Sequence, residues 1–473
     1  METSIITYSK LTEHPEFRID AECYSPYHLE IEKSIEAKGF NLIQDFAVSV
    51  INFGAYSLCN YIEFLEAGKP FLVTENIKNN IIETGQLHYI SDEVHLLLHK
   101  SHCVKGQVLL TMAGAYLGQA AVFNEEFECS SNQAIAKITL KPNSVNPYYL
   151  STFLNCKYGQ SQIERFKTGT GQPNLNLGLI KLIRVAGASV PFQNKVDEIV
   201  NNAIRFRIES VSLYQEGQEI LISELGLTNW QPKHQLTFIK NYSETKAAER
   251  FDAEYYQPKY EEITKAIQNY SGGWDTLGNL VTVKKCVEVG SGEYLDEGTP
   301  FVRVSNLSPF EITEEKYISE ELYQEIIQHQ PTKGEILFSK DATPGIAYYL
   351  NEAPQKMIPS SAVLRLKNES DIVNNEYLTL VLNSIQTKEQ VNRDVGGSVI
   401  LHWRPDQVKG TVIPILPESK QIEIQQKVTE SFNLRKQSKH LLECAKLAVE
   451  IAIEKDEQAA VKWLKNETKE MQI

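Results

Sequence analysis

Two hydrophobic rhythms alternate along this chain, and the alternation runs through twice. Short β-branched and aromatic runs broken by Gly, Asn and Pro come first: Phe71-Leu72-Val73, Val108-Leu109-Leu110-Thr111 and Ala120-Ala121-Val122-Phe123. Such runs predict strands. Asn146-Pro147 then opens a helical stretch through Tyr149, Leu150, Phe153 and Leu154, with Asn146 as its N-cap. From about Pro191 the rhythm changes. Val196, Ile199, Val200, Ala203, Ile204, Ile208, Val211 and Tyr214 fall three and four apart, one face of a long helix. The succession returns with Phe301-Val302-Arg303-Val304, Glu335-Ile336-Leu337-Phe338, Tyr377 to Leu382, and a stripe through Ile424, Val428, Phe432, Leu442, Ala445, Val449 and Ala452. Each long helix spans roughly 30 residues, about 45 Å at its usual rise.

The second passage repeats residues as well as rhythm. Arg18-Ile19-Asp20-Ala21-Glu22-Cys23-Tyr24-Ser25-Pro26 returns as Arg250-Phe251-Asp252-Ala253-Glu254-Tyr255-Tyr256-Gln257-Pro258. Gly68-Lys69-Pro70-Phe71 matches Gly298-Thr299-Pro300-Phe301, and Lys105-Gly106-Gln107 matches Lys333-Gly334-Glu335. Gly106 and Gly334, Tyr149 and Tyr377, and Gln193 and Gln421 all stand 228 positions apart. A fixed offset marks a duplication of whole domains. Apolar positions are shared while polar ones drift, so one scaffold presents two different surfaces. The expected architecture is α+β: two mixed α/β globules in tandem, separated by two long antiparallel helices forming a coiled coil. The expected boundaries are 1–190 for the first globule, 191–228 for the first long helix, 229–418 for a linker and second globule, and 419–473 for the second helix and tail. The alternative, each helix packed only on its own globule, fits their matched placement less well.

Composition narrows the class. The 473 residues are 42% apolar, enough for real cores, and no apolar run reaches the roughly 18–20 residues of a membrane span. Met1 to Lys10 lacks the basic flank and apolar core of a secretory signal. Seven scattered cysteines without a Cys-x-x-Cys pair read as reduced thiols, and the expected location is cytoplasmic. The net charge of −14 is the wrong sign for a simple nucleic-acid binder.

Candidate catalytic motifs are few and each has a plainer explanation. Asn146-Pro147-Tyr148-Tyr149 resembles the amine-binding motif of amino-methyltransferases but lacks its second proline, and no glycine loop lies upstream to cradle S-adenosylmethionine. Pro405-Asp406 followed by Glu418-Ser419-Lys420 has a nuclease-like spacing, yet sits where a strand enters the second long helix. Thr168-Gly169-Thr170-Gly171 lacks the lysine of a phosphate-binding loop. No histidine cluster has metal-ligand spacing, so neither an enzymatic centre nor a metal site is expected in this chain.

The ordered set of twin motifs resembles the DNA-specificity subunit of type I restriction–modification systems, over nearly the whole chain from about Phe17. Its carriers are Asp20 to Pro26 and Asp252 to Pro258, and the Gly-rich segments Gly169-Thr170-Gly171-Gln172-Pro173-Asn174 and Gly396-Gly397-Ser398-Val399-Ile400, each leading to Gln193 or Gln421 at a helix start. The second segment departs from the first, with His402-Trp403-Arg404 in place of Asn174-Leu175-Asn176. The resemblance implies that each globule is a target-recognition domain reading one half of a split DNA site. It implies a non-catalytic chain whose helices dock two methyltransferase subunits, with a restriction motor and nuclease subunit as further partner. S-adenosylmethionine and ATP are then expected on those partners and no cofactor on this chain. A protein-binding adaptor on the same scaffold and an acidic DNA mimic are the competing classes; interspersed bases argue against the mimic.

Small-residue loops after strands can approach DNA closely, which makes Lys105 to Gly118 and Lys333 to Gly345 the candidate reading segments. The named DNA-binding candidates are Thr111, Tyr116, Gln119, Arg165 and Lys167 in the first half. In the second they are Arg303, Asn306, Ser339, Lys340, Thr343 and Arg393. Lys105, Lys284, Lys285 and Lys333 complete the candidate basic set, of which half are expected to be ordinary solvated charges.

Overall fold

The computed structural model describes residues 4–13, 17–54, 56–85, 87–168, 173–397 and 400–469. The segment Gly169 to Gln172 and the pair Ser398-Val399, both carriers of the family resemblance, lie outside the described residues. The chain divides into two compact units, one running to Arg207 and resuming at Arg435, the other spanning Ile208–Leu434. Each long helix, Val190–Glu224 and Glu418–Glu454, is shared between them, and a further helix, Glu457–Glu467, follows an Asp456 N-cap.

In the first unit, a four-stranded antiparallel sheet runs in the order Ala47–Ile51, Ile135–Leu140, Val108–Thr111, Ala120–Val122. A second sheet orders His88–Ile90, Lys69–Leu72, Cys129–Ser131 and His102–Cys103, with its central pair parallel. Phe40–Leu42 pairs with Arg184–Ala186 beneath the helices Pro26–Lys38 and Lys157–Phe166. In the second unit the antiparallel order is Val281–Lys285, Val363–Asn368, Glu335–Ser339, Ala347–Tyr349. A three-stranded sheet orders Tyr317–Ile318, Thr299–Val302 and Ile358–Pro359, and Trp274–Thr276 pairs with Val412–Pro414.

The residues that fix each unit recur at the 228 offset, Ala120 and Ala347 alone standing 227 apart. Asn155 bridges Ala120 in both directions, its amide donating to the carbonyl at 2.7 Å and its oxygen accepting from the N–H at 3.0 Å. Asn383 does the same to Ala347 at 2.8 and 2.9 Å. Tyr149 donates to the Ala186 carbonyl, and Tyr377 to that of Pro414. Gln193 and Gln421 each accept from the N–H at the start of the preceding helical stretch, Asn146 or Asn374, and donate to the carbonyl of Ala188 or Leu416. A buried amide that satisfies two backbone groups fixes geometry as well as removing an unpaired-donor penalty.

Buried charge distinguishes the two cores. Arg365, on the central strand of the second unit, meets Glu335 across the sheet at 2.9 and 3.0 Å. The matched positions of the first unit are Lys137 and Gln107, and buried Lys137 donates to Ser131 Oγ at 3.2 Å. Burial pulls the Lys137 amine below its ordinary value of 10.5. Lys137→Met is expected to stabilise the first unit by on the order of 1 kcal/mol or more at neutral pH. Because the depressed amine binds fewer protons folded than unfolded, wild-type stability rises with pH toward 10.5, and the gap to Lys137→Met should narrow over that interval. Thermal melts at several pH values check this. A variant no more stable than wild type at pH 7 would show that the site accommodates the charge.

The long helices bury positions 196, 200, 203, 210, 214, 217 and 221 on one, and 421, 424, 428, 431, 438, 442, 445, 449 and 452 on the other. These follow an alternating three-and-four spacing, with Arg207 and Arg435 in the skipped places. In the first unit Ser438 donates to the Ala203 carbonyl at 2.7 Å. In the second, Ser431 donates to the Ser210 carbonyl at 2.7 Å and Lys427 pairs with Glu216 at 2.6 Å, so the helices run antiparallel there. Ile208, placed on the apolar face from sequence, is exposed instead, because the spacing averages 3.5 and the face drifts past it. Among the described residues no helix is long and apolar enough to cross a membrane.

Candidate nucleic-acid interface

In both units a twin motif clamps the end of a helix, and the chain beyond that helix is tied by backbone bonds to a strand-end loop. Arg18 grips Asp20 with two bonds of 2.7 Å and donates through Nη1 to the carbonyls of Arg165 and Lys167 at 2.5 and 2.9 Å. Asp20 also accepts from the Cys23 N–H at 3.0 Å, and the Arg18 hydrogen bond foremost holds its carboxyl below the ordinary value. Arg250 and Asp252 repeat the fork at 2.8 and 2.7 Å, and Arg250 reaches the carbonyls of Asp394 and Arg393 at 3.1 and 3.4 Å. The motif is thus a clamp. It fixes the C-terminal end of a helix, Lys157–Phe166 or Ile385–Asp394, whose chain continues into the Gly-rich segment. Pro26 and Pro258 then start the next helix at its first position.

The strand-end loop meets the far side of the Gly-rich segment. Asn174 bridges both Thr168 and Ala113, and the Leu175 N–H donates to the Met112 carbonyl at 2.8 Å. At the 228 offset His402 bridges Gly396 and Asp341, and the Trp403 N–H donates to the Lys340 carbonyl at 2.8 Å. The backbone frame is the same while the side chains on it change: Met112, Ala113 and Asn174 in one unit, Lys340, Asp341 and His402 in the other. In the second unit Asp341 pairs with Lys340 and accepts a hydrogen bond of 2.9 Å from His402 Nδ1. The neighbouring Ala342 takes a left-handed φ of 58°, held by its N–H bond of 2.9 Å to the Leu401 carbonyl.

Several residues expected to touch DNA instead belong to the scaffold. Thr111 is fully buried; its hydroxyl donates to the Tyr116 carbonyl and accepts from the Gln119 N–H at 2.9 Å. Ser339 closes the second loop likewise, donating to the Thr343 carbonyl at 2.6 Å and accepting from the Ile346 N–H at 2.8 Å. Asn306 is buried and accepts from the Arg303 N–H at 3.1 Å, holding a turn. Arg165 is buried against the Cys23 carbonyl at 2.8 Å and Glu32 at 3.3 Å. Arg393 is half-buried and paired with Asp394 at 2.8 Å. Thr343 is exposed at the loop, Gln119 is half-buried, and Tyr116 is half-buried beneath Lys78, whose ammonium stands 3.7 Å from the ring centre. Lys167 pairs with Glu164 and Arg303 with Glu315.

Most of the candidate cations are neutralised locally. Lys105, Arg165, Lys167, Lys284, Arg303, Lys340 and Arg393 each lie within ion-pair distance of an acid. Phosphate attraction from this basic set is accordingly weak, in keeping with the net charge of −14. Lys78, Asp341, Asn174 and His402 escaped the sequence-based list. Asp341 and His402 were accessible through the offset, which aligns them with Ala113 and Asn174. Among the described residues no group of three His, Cys, Asp or Glu side chains is placed to hold a metal.

No family model and no curated protein matches this chain. Among solved structures it is similar to the type I restriction–modification system S subunit from M. genitalium, at 12% identity over 88% of this chain and 94% of that one, with a TM-score of 0.39. It is also similar to the HsdS subunit from Thermoanaerobacter tengcongensis, at 12% identity over 88% and 97% of the two chains, with a TM-score of 0.28.

Proposed function

We propose that this chain is the DNA-specificity subunit of a type I restriction–modification system, a tandem repeat in which each unit reads one half of a bipartite target. The observation that carries this reading is one loop frame built twice with different side chains on it. A protein that recognised the same thing twice would have no use for Asn174 in one frame and His402 with Asp341 in the other. Base edges are distinguished by such donor and acceptor changes. The paired helices act as an antiparallel coiled coil that sets the distance between half-sites, their 3.5-residue spacing suiting a left-handed supercoil. Methyl transfer and cleavage belong to partner subunits, two methyltransferases and a motor nuclease, which bind S-adenosylmethionine and ATP and supply much of the phosphate attraction.

Mapping methylated bases in a host genome with and without this gene, together with its partner genes, tests the reading directly. A split motif should appear with the gene and vanish without it; an unchanged methylome would refute the proposal. Within that assay, His402→Ala or Asp341→Ala should relax one position of a single half-site, at a cost of about 1–3 kcal/mol in binding, and leave the other half-site intact. Variants with unaltered motif and affinity would place base reading elsewhere on the unit.

A further inference from the structure

We infer that the first unit binds a small carboxylate with an apolar body, in a cavity whose polar lining the second unit does not repeat. The cavity holds about 310 Å³, at the lower end of the size range of small-molecule sites. It lies where the helices Pro26–Lys38 and Lys157–Phe166 meet the paired strands Phe40–Leu42 and Arg184–Ala186. Its lining is of two kinds. Ile31, Ile35, Leu42 and Leu182 supply apolar surface, while Lys10, Arg165 and Arg184 set three cations against one acid, Glu32.

Glu32 is the hub of the charged part. It is 9% exposed and lies 3.1 Å from Lys10 Nζ, 3.3 Å from Arg165 Nη1 and 2.7 Å from Arg184 Nη1. Burial by itself raises its carboxyl, but Arg165, Lys10 and Arg184 outweigh that and hold it below the ordinary value. One carboxylate does not exhaust two guanidiniums. Arg165 also donates to the Cys23 carbonyl and Arg184 to Glu36, which leaves donors to spare among the five of each fork. Tyr24 has the same surplus. It is 4% exposed and lines the cavity, and its buried hydroxyl has no hydrogen-bond partner among the described residues. A buried hydroxyl is normally bonded, and an oxygen anion is the acceptor that suits it and the guanidiniums alike.

The second unit shows that the scaffold does not require this cluster. At the matched positions stand Tyr260 for His28, Thr264 for Glu32 and Val412 for Arg184. Arg165 is kept as Arg393, which pairs with Asp394 at 2.8 Å. Tyr256, in the place of Tyr24, donates its hydroxyl to the Arg250 carbonyl at 2.8 Å. The same helix, strand pair and clamp are thus built without the Glu32–Arg184 pair and with a satisfied tyrosine. Folding does not call for the charged cluster, and a ligand does.

The ligand's class follows from the lining. Planar guanidinium forks match a carboxylate, and a tyrosine hydroxyl donates to the same group. A phosphate dianion would set further oxygens against isoleucine and leucine, where nothing bonds them. An apolar body on the carboxylate instead covers Ile31, Ile35, Leu42 and Leu182 and gains from their burial. None of this depends on the chain reading DNA.

The test titrates the full chain with benzoate by ligand-observed NMR. The controls are benzamide, which keeps the ring without the charge, and inorganic phosphate. Benzoate should bind with a Kd of about 1 mM or tighter, and both controls about tenfold or more weakly. Arg184→Val and Tyr24→Phe should each cost benzoate about tenfold in affinity. Tyr24→Phe should leave the thermal melt of the free chain unchanged, since that hydroxyl bonds nothing in the protein. A wild-type chain that does not bind benzoate, or binds benzamide or phosphate equally well, would overturn the inference. Full benzoate affinity in Tyr24→Phe would do the same, by placing the binding elsewhere on the chain.

Discussion

Replacing Glu335 with Ala should destabilise the second unit by about 3–5 kcal/mol, the usual cost of leaving one member of a buried ion pair uncompensated. Glu335 accepts two guanidinium bonds from Arg365, both away from water, and a third from the Thr332 N–H at 3.0 Å. Removing it strands Arg365, which retains only the Gln328 carbonyl at 3.0 Å. Hydrogen exchange by mass spectrometry should show protection lost across Val281–Lys285 and Val363–Asn368 and kept in Ile135–Leu140 of the other unit. The double substitution Glu335→Leu/Arg365→Leu should restore most of the protection, because a well-packed apolar pair avoids the desolvation of both charges. A single variant within about 1 kcal/mol of wild type would mean that water reaches the guanidinium and compensates it.

That pair also shows where the sequence stops being legible. Strand runs and helix starts were readable because apolar periodicity and Asn or Pro at a boundary are local signals. The echo at Arg18 and Arg250 was readable as well, but its purpose was not, since the carbonyls it clamps lie more than 140 residues further on. The same limit governs the loops. Thr111 and Ser339 are the residue types that read bases, and equally the types that close tight turns; only their burial separates the two uses. The helix seam was half legible. Val196, Val200 and Val428 announced it, whereas Ser210, Gly217, Ser431 and Ser438 occupy seam positions that a search for apolar residues passes over.

The seam fixes how a spacer variant must be built. Four residues added to one helix would break the register that joins Ser210 to Ser431 and Glu216 to Lys427, whereas one heptad added to both, after Glu209 and after Ser431, repeats the seam. Seven residues lengthen the pair by about 10 Å, or roughly three base pairs at about 3.4 Å each. If the helices set the spacing, the methylated motif should keep both half-sites and gain about three unread base pairs between them. Affinity for the longer site should fall below that of the parental pair, because three base pairs turn the second half-site about 100° around the duplex while a heptad turns the helices by only about 20° from whole turns. The four-residue variant in one helix should instead lose stability without acquiring a new spacing. Retention of the original spacing by the heptad variant would show that the separation of half-sites is set outside the paired helices.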